Sequence, residues 1–155
     1  MKLNVGCGNK PKKGYINIDI RKLKGVNVIC NVMQLCFKDN TIEELVAESV
    51  LEHCPRLDIK TILQHWIDIL EPGGKLIIVC PNIKLLATNY LRGKLSTERF
   101  VRQMYGDQGY PENTHKCGFD PEYLTLLLKQ CNIEESRIID TELNANNLLI
   151  EGYKQ

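Results

Sequence analysis

Several features are missing from this chain of 155 residues, and each absence narrows the class of protein. Apolar runs such as 76–81 are far shorter than the ~20 residues of a membrane-spanning helix. There is no Cys-x-x-Cys pair, and the three histidines and seven cysteines do not have the spacing of a zinc site, so we expect no metal. The N-terminal segment, with Lys2 and no long apolar run, argues against a signal peptide.

The composition is that of an ordinary globular protein, with 25% charged and 43% apolar residues. A chain of this length is predicted to form one domain, 1–155, and to bury about two-thirds of its unfolded surface without disulfides. The number of cysteines is odd, and most of them lie within apolar patterns, where a free thiol behaves as a small apolar group. We therefore expect a reducing, cytoplasmic location.

Charge is nearly balanced over the whole chain but not along it. The net charge of +1 gives no global attraction to nucleic acid or membrane. Residues 1–25 nevertheless hold seven basic groups against one acid. This segment is either a solvated basic edge or a region that attracts an anionic group.

Alternating apolar patterns predict an α/β fold. Strands are predicted over 2–5, 15–20, 26–30, 44–50 and 75–80, helices over 58–70 and from 120 onward, and a terminal hairpin from 137–143 and 147–153 about the turn 144–146. This order favours a Rossmann-like, mostly parallel sheet with helices on both faces and a terminal antiparallel hairpin. Only nine residues, 6–14, separate the first two strands, so the first crossover helix is shortened or absent.

Residues 82–118 are more than one crossover needs. The pattern predicts two short helices broken at Gly93, followed by a loop over 106–111. Long ordered insertions in compact domains are often functional, so we expect a lid or insertion on the substrate side.

Candidate binding residues follow the first three strands. The turn 6–8 has glycine at both ends, which lets the backbone approach a ligand closely. Asp19 ends the second strand, where a carboxylate can accept both hydroxyls of a ribose. After the third strand, the amide of Asn31 could meet the amino edge of adenine, with a backbone N–H of Val32 or Met33 facing a ring nitrogen. Each feature alone is also common in ordinary turns and caps.

Six segments together resemble the class I S-adenosylmethionine-dependent methyltransferases: 3–8, 14–19, 37–40, 49–53, 70–76 and 115–120. The resemblance runs through nearly the whole chain and is nearest to a small bacterial-type branch of unassigned substrate. It implies S-adenosylmethionine as the cofactor and methyl transfer to an acceptor as the reaction.

The same resemblance implies a set of cofactor-binding residues: Val5, Gly6, Cys7, Gly8, Asp19, Ile20, Asn31, Val32, Met33, Glu48 and Ser49. The glycine turn would face the methionine part, Asp19 the ribose and Ile20 the adenine, while the residues after the fourth strand would border the sulfonium. Because the first helix is shortened, one of Lys10, Lys12 and Lys13 is expected to replace its dipole at the cofactor carboxylate.

His53 and His115 are the candidate catalytic bases, because the pKa of histidine lies near working pH. The sulfonium is already an activated donor, so alignment can supply most of the catalysis and no base is obligatory. The alternatives are a structural histidine at position 53 and a surface lid residue at position 115. Substrate contacts are expected from the insertion: Tyr105, Asp107 and Tyr110.

The expected acceptor is a small molecule and not DNA, while a sugar or lipid-linked intermediate and a protein side chain stay open. Base methyltransferases of this fold often carry Asn-Pro-Pro-Tyr after the fourth strand, whereas 48–51 reads Glu-Ser-Val-Leu. We expect a monomer or homodimer without a membrane span. Two other classes stay open: a nicotinamide-dependent enzyme, which is disfavoured because Pro11 replaces a fingerprint glycine, and a non-catalytic module that binds the cofactor or a partner.

Overall fold

One mixed sheet organises the computed structural model, which describes residues 1–139 and 146–155. Its strands are β1 (Lys2–Val5), β2 (Ile16–Asp19), β3 (Val28–Ile29), β4 (Ile42–Glu48), β5 (Leu70–Pro81), β6 (Ser136–Ile138) and β7 (Asn147–Tyr153). The spatial order is β3-β2-β1-β4-β5-β7-β6. β1 to β5 pair in parallel, and β7 is antiparallel to both β5 and β6. The predicted mostly parallel sheet with a terminal antiparallel hairpin is confirmed.

Four α-helices occur in the described part of the chain: α1 (Ile59–Ile69), α2 (Ile83–Leu91), α3 (Thr97–Tyr105) and α4 (Pro121–Gln130). Short 3-10 turns lie at Leu51–His53, Arg56–Asp58 and Pro111–Asn113. The α4 helix begins as its sequence predicts, since the Asp120 side chain accepts a hydrogen bond from the Tyr123 N–H at 2.8 Å and proline follows at the first position. Within these ranges no helix combines the length and apolarity needed to cross a bilayer.

The connection from β1 to β2 contains no helix, in agreement with its shortness. In its place, the loop is held by two buried asparagines that point away from the apolar face of β1 and β2. Asn4 Nδ2 donates to Asn17 Oδ1 at 2.8 Å and to the Lys10 carbonyl at 3.1 Å, and Asn17 Oδ1 accepts from the Lys12 N–H at 2.7 Å. The loop 6–14, and not a helix, therefore covers the face of β1 and β2 that carries Asn4 and Asn17. The helices α1 and α4 pack against each other.

Strand β5 begins directly after α1, five residues before its predicted start at 75. Its pairing with β4 shifts between Ile42 and Glu44, so that 71–74 form an irregular first segment of the strand. A Cβ at Gly74 would lie only 2.7 Å from the Glu71 carbonyl and 2.9 Å from that of Ile42. Glycine is therefore needed at position 74 because two backbone carbonyls lie close to it. Position 74 is already inside the strand and not in a turn before it.

The remaining differences concern strand ends. β3 has two residues where five were predicted, and β4 starts and ends two residues early. In the hairpin, β6 ends at Ile138. Residues 140–145, which include the rest of the predicted strand and most of the predicted turn, lie outside the described residues.

Candidate functional site

The glycine turn after β1 packs against the segment that follows β4. Gly6 and Gly8 both have left-handed backbone, with φ of 61° and 52°. A Cβ at Gly6 would lie 2.4 Å from Cγ2 of Val50, so no larger residue fits without displacing that side chain. The turn thus exposes backbone, and not a side chain, at the carboxyl edge of the sheet.

Asp19 is the buried acid of this edge, with only 4% of its surface exposed. Its Oδ2 accepts the Gly8 N–H at 2.8 Å, and its Oδ1 accepts the Arg21 N–H at 2.9 Å and Arg21 Nε at 3.1 Å. Burial alone would raise the pKa of Asp19, but the hydrogen bonds from Arg21 and Gly8 outweigh it and hold that pKa below its ordinary value. The side chain is therefore an ionised acceptor at neutral pH.

Helix α1 holds the loop that follows β3. Trp66 Nε1 donates to the Val32 carbonyl at 2.8 Å, and His65 Nε2 lies 3.0 Å from the Leu35 carbonyl. Within the loop, Asn31 Oδ1 accepts the Met33 N–H at 3.0 Å. The Met33 N–H is therefore already used within the loop, so its expected contact with adenine would require this turn to rearrange. Asn31 Oδ1 keeps a second lone pair for the amino group of adenine.

The first cavity, about 160 Å³, lies where these three loops meet. It brings together seven of the predicted cofactor-binding residues: Gly6, Asp19, Ile20, Asn31, Val32, Met33 and Ser49. Tyr110 from the insertion and Arg21 also line it, with the guanidinium carbon 4.2 Å from the ring centroid. Arg21 was not singled out from the sequence, although its place two residues after Asp19 was an available signal.

Four predicted cofactor-binding residues lie outside this lining. Val5 and Cys7 are buried, and Gly8 donates its N–H to Asp19, which itself lines the cavity. Glu48 instead forms ion pairs with Lys10 at 3.1 Å and Lys12 at 3.7 Å. These lysines therefore have a carboxylate partner of their own in this structure.

Ser49 has the most unusual backbone of the site, with a φ of 56° in a residue other than glycine. Its N–H donates to the Val79 carbonyl at 2.8 Å, which fixes it directly after β4. Left-handed backbone at a non-glycine residue costs free energy and concentrates at functional sites. Ser49 and His53 both line the first cavity and a neighbouring one.

The second cavity, about 400 Å³, contains both candidate bases. The rings of His53 and His115 meet edge to face with centroids 4.8 Å apart. Nδ1 of His53 lies 3.3 Å from the Thr114 carbonyl, and Nδ1 of His115 lies 3.0 Å from the Gln103 carbonyl. Since a carbonyl only accepts, each Nδ1 carries the hydrogen and each Nε2 keeps its lone pair.

Burial lowers the pKa of both imidazoles, and the charge of His115 lowers that of His53 further. Both rings are therefore neutral at neutral pH. A neutral imidazole with a free Nε2 can accept a proton or bind a cation.

Backbone hydrogen bonds bring the two histidines together across 62 positions of sequence. The N–H groups of Lys116 and Cys117 donate to the Glu52 carbonyl at 2.8 and 3.3 Å, and the His115 N–H donates to the Tyr105 carbonyl at 3.1 Å. These bonds dock the end of the insertion on the turn Leu51–His53.

Sequence reasoning also missed Glu52. It is 1% exposed, and neither carboxyl oxygen has a hydrogen-bond partner within residues 1–139 and 146–155. Burial raises the pKa of Glu52 to about 8. In the sequence it stands only as one position of the segment 49–53, between Leu51 and His53, where an acid is equally typical of an exposed turn.

The other predicted substrate contacts are divided. Tyr110 lies in the first cavity and Asp107 in the second, where Asp107 forms an ion pair with Arg102. Tyr105 is largely exposed, at 57%. Arg99, Arg102 and Gln103 of α3 also line the second cavity, so the insertion supplies much of its wall.

Comparison with known proteins points to one kind of domain. Residues 8–78 match the family described as Methyltransferase domain. No curated protein sequence matches the chain.

Solved structures match over nearly the full length of the chain. A methyltransferase from Methanosarcina mazei described as S-adenosylmethionine-dependent has a TM-score of 0.63 and 22% identity, covering 99% of this chain and 91% of its own. One from Thermotoga maritima, described as a possible histamine N-methyltransferase, has a TM-score of 0.69 and 16% identity, with 99% and 81% covered. The 1,6-didemethyltoxoflavin-N1-methyltransferase of Burkholderia thailandensis, solved with S-adenosylhomocysteine, has a TM-score of 0.64 and 14% identity, with 99% and 70% covered.

Proposed function

We propose that this chain is a class I S-adenosylmethionine-dependent methyltransferase that transfers a methyl group to a small-molecule acceptor, a proposal supported by its fold and by the family match over residues 8–78. The cofactor occupies the first cavity, and the acceptor occupies the second. The observation that carries this proposal is the buried, ionised Asp19 beside the glycine turn, at the carboxyl ends of parallel strands.

The residues of the first cavity fit the chemical groups of S-adenosylmethionine. Asp19 accepts hydrogen bonds from the ribose, as acids at this position do in nucleotide-binding folds. Ile20 and Met33 supply apolar contacts for the adenine. The turn at Gly6 leaves backbone accessible to the amino-acid part, since a Cβ there would meet Val50.

Lys10 and Lys12 are proposed to attract the carboxylate of the cofactor in place of the missing helix dipole. Both lysines lie on the loop that replaces the first crossover helix, and both pair with Glu48 on an exposed surface. Exposed ion pairs contribute little, so exchanging Glu48 for another carboxylate costs little free energy.

The position of Ser49 supports methyl transfer between the two cavities. When bound, the cofactor supplies a sulfonium whose methyl group is already activated. Ser49 and His53 border both cavities and align the acceptor with that methyl group. Nε2 of His53 or His115 is then available to take the acceptor's proton.

We also propose that 82–118 is a substrate-side insertion within one domain. Its α3 helix provides Arg99, Arg102 and Gln103 to the wall of the second cavity, and its final loop provides His115. Such a wall fits a small acceptor with anionic or polar groups.

Isothermal titration calorimetry with S-adenosylmethionine and S-adenosylhomocysteine tests the cofactor assignment. Replacing Asp19 by alanine removes hydrogen bonds to a charged group, which contribute about 1.5–3 kcal/mol, so Asp19→Ala should weaken both ligands about 10- to 150-fold. Asp39→Ala, which removes an exposed acid outside the cavity, serves as the matched control. Unchanged affinity in Asp19→Ala would show that this acid does not hold the ribose.

A further inference from the structure

Three side chains in the wall of the second cavity could bind one cation together. Glu52, His53 and His115 each offer one ligand atom, and these atoms all lie within 4.8 Å of one another. We refer to these three residues as the Glu-His-His cluster. Small side-chain rotations would bring the atoms to the separations found around a single metal ion.

Both imidazoles are held as metal-binding histidines usually are. Such histidines donate their second ring N–H to a carbonyl or carboxylate, which fixes the ring and leaves the other nitrogen free. Here Nδ1 of His53 contacts the Thr114 carbonyl and Nδ1 of His115 contacts the Gln103 carbonyl, at 3.3 and 3.0 Å. Each Nε2 therefore keeps its lone pair for a ligand.

Glu52 provides an independent observation. Its side chain is buried in the cavity wall, and both carboxyl oxygens are without hydrogen-bond partners in the part of the chain that the structure describes. Buried polar groups are nearly always paired, and an unpaired one is costly. A cation between Glu52 and the two histidines would provide the missing partner.

We propose that the Glu-His-His cluster binds a divalent cation of the Zn²⁺ or Fe²⁺ type. Two imidazole nitrogens and one carboxylate oxygen suit these ions, whereas Mg²⁺ and Ca²⁺ prefer ligand sets made of oxygen. Three protein ligands leave coordination positions open toward the cavity. One carboxylate against a doubly charged ion leaves a net positive charge there, which favours an acceptor with an oxygen or nitrogen lone pair.

The sequence predicted no metal, because the ligands do not form a short spacing motif. A bound ion changes the role of the histidines: they become ligands and not bases, and the acceptor loses its proton to water because coordination lowers the pKa of the bound group. This effect on the acceptor rests on the proposed function. The cation site itself does not.

Titration of the purified full chain with Co²⁺, followed by absorption spectroscopy, tests the site. We expect one Co²⁺ per chain, with visible ligand-field bands and without the near-ultraviolet charge-transfer band of a cobalt–thiolate bond. Glu52→Gln, His53→Asn and His115→Asn should each weaken Co²⁺ binding at least about tenfold. His65→Asn is the matched control, because His65 is also half-buried with one ring nitrogen on a carbonyl but lies on α1 outside the cavity.

Several results would overturn the proposal. A thiolate band would place the ion on cysteines, of which Cys54 and Cys117 lie near Glu52. The absence of Co²⁺ binding, or equal affinity in the three variants and the control, would remove the site altogether. Circular dichroism checks that each variant is folded, and any one folded variant of the three is sufficient for the test.

The same wild-type preparation is titrated with S-adenosylhomocysteine. Co²⁺ binding without binding of this ligand would contradict the proposed function and leave the cation site in place. Binding of S-adenosylhomocysteine without Co²⁺ binding would contradict the cation site and leave the proposed function in place.

Discussion

At the scale of single residues, Gly6 and Gly14 have the same kind of backbone but different surroundings. Both are left-handed, with φ of 61° and 84°. A Cβ at Gly6 would meet Val50 at 2.4 Å, whereas a Cβ at Gly14 would have nothing within 4 Å. Substituting each glycine therefore distinguishes the cost of backbone strain, which both positions share, from the cost of steric overlap, which arises only at Gly6.

We predict that both Gly6→Ala and Gly14→Ala destabilise the protein through backbone strain, by roughly 1 kcal/mol or more. Gly6→Ala should cost about 1–3 kcal/mol beyond that, because its methyl group must displace Val50. Urea unfolding of the two variants measures the difference. Equal losses would mean that Val50 can move aside freely.

Asp19 and Glu52 show what single residues in a sequence can and cannot reveal. Asp19 could be identified because it ends a strand that follows a glycine turn, and parallel strands bring such ends together. Glu52 could not, because its burial depends on a loop that docks on its backbone from more than sixty residues away. That its carboxyl group has no partner within 1–139 and 146–155 can be seen only in the folded chain.

At the scale of elements, periodicity predicted the helices well and the start of β5 poorly. α1 was expected over 58–70 and occupies Ile59–Ile69, since its apolar stripe fixes both its type and its length. The predicted helix ends at 70 and the next predicted strand begins at 75, so the run Pro72-Gly73-Gly74 is expected to lie between elements, where proline ends a helix. In the structure this run belongs to β5, because the register of pairing with β4 shifts there. The shift depends on the partner strand, which the local sequence does not specify.

Helix α1 also positions the loop at the first cavity, through the bond from Trp66 to the Val32 carbonyl. We predict that Trp66→Phe destabilises the protein by about 1 kcal/mol, because it leaves the half-buried Val32 carbonyl without this partner and a small void beside the buried ring. Affinity for S-adenosylhomocysteine should fall as well, since Val32 lines the cavity. Thermal unfolding and calorimetry measure the two effects. Lower stability with unchanged affinity would show that the loop keeps its position without this bond.

At the scale of the whole molecule, Lys154 joins the last strand to the first half of the sheet. Its Nζ donates to Asn40 Oδ1 and to the carbonyls of Asp68 and Leu70, at 2.8 to 2.9 Å. Its backbone also exchanges hydrogen bonds with Gly73 and Gly74. One side chain thus connects segments more than eighty residues apart.

We predict that Lys154→Met lowers the free energy of unfolding by about 1.5–3 kcal/mol, the range for hydrogen bonds to a charged group. Lys84→Met is the control, because Lys84 forms an ion pair of 2.7 Å with Glu122 on an exposed surface, where such pairs contribute little to stability. Urea unfolding of both variants tests the comparison. Similar losses would show that the contacts of Lys154 are as weak as a surface pair.

The joining of His53 to His115 is likewise a property of the whole chain. Each histidine could be singled out from the sequence, yet nothing in the sequence places one ring 4.8 Å from the other. Their contact requires the insertion to fold back on itself at Gly106. A Cβ at Gly106 would lie 2.4 Å from the Asn113 carbonyl, so a larger residue would obstruct this fold. Contacts of this kind follow from packing between distant segments and not from local patterns.

The stacking of Arg21 on Tyr110 has a kinetic consequence. The first cavity, at about 160 Å³, is smaller than the roughly 300–1,000 Å³ of most ligand sites. In addition, Arg21 Nε already donates a hydrogen bond to Asp19 Oδ1. In the proposed function the donor binds in this cavity, so its entry requires Arg21 and Tyr110 to separate, and the loop that carries Tyr110 also carries His115, which lines the second cavity. We expect compulsory-order turnover in which the donor enters first and the demethylated product leaves last, so that S-adenosylhomocysteine inhibits competitively against the donor and noncompetitively against the acceptor.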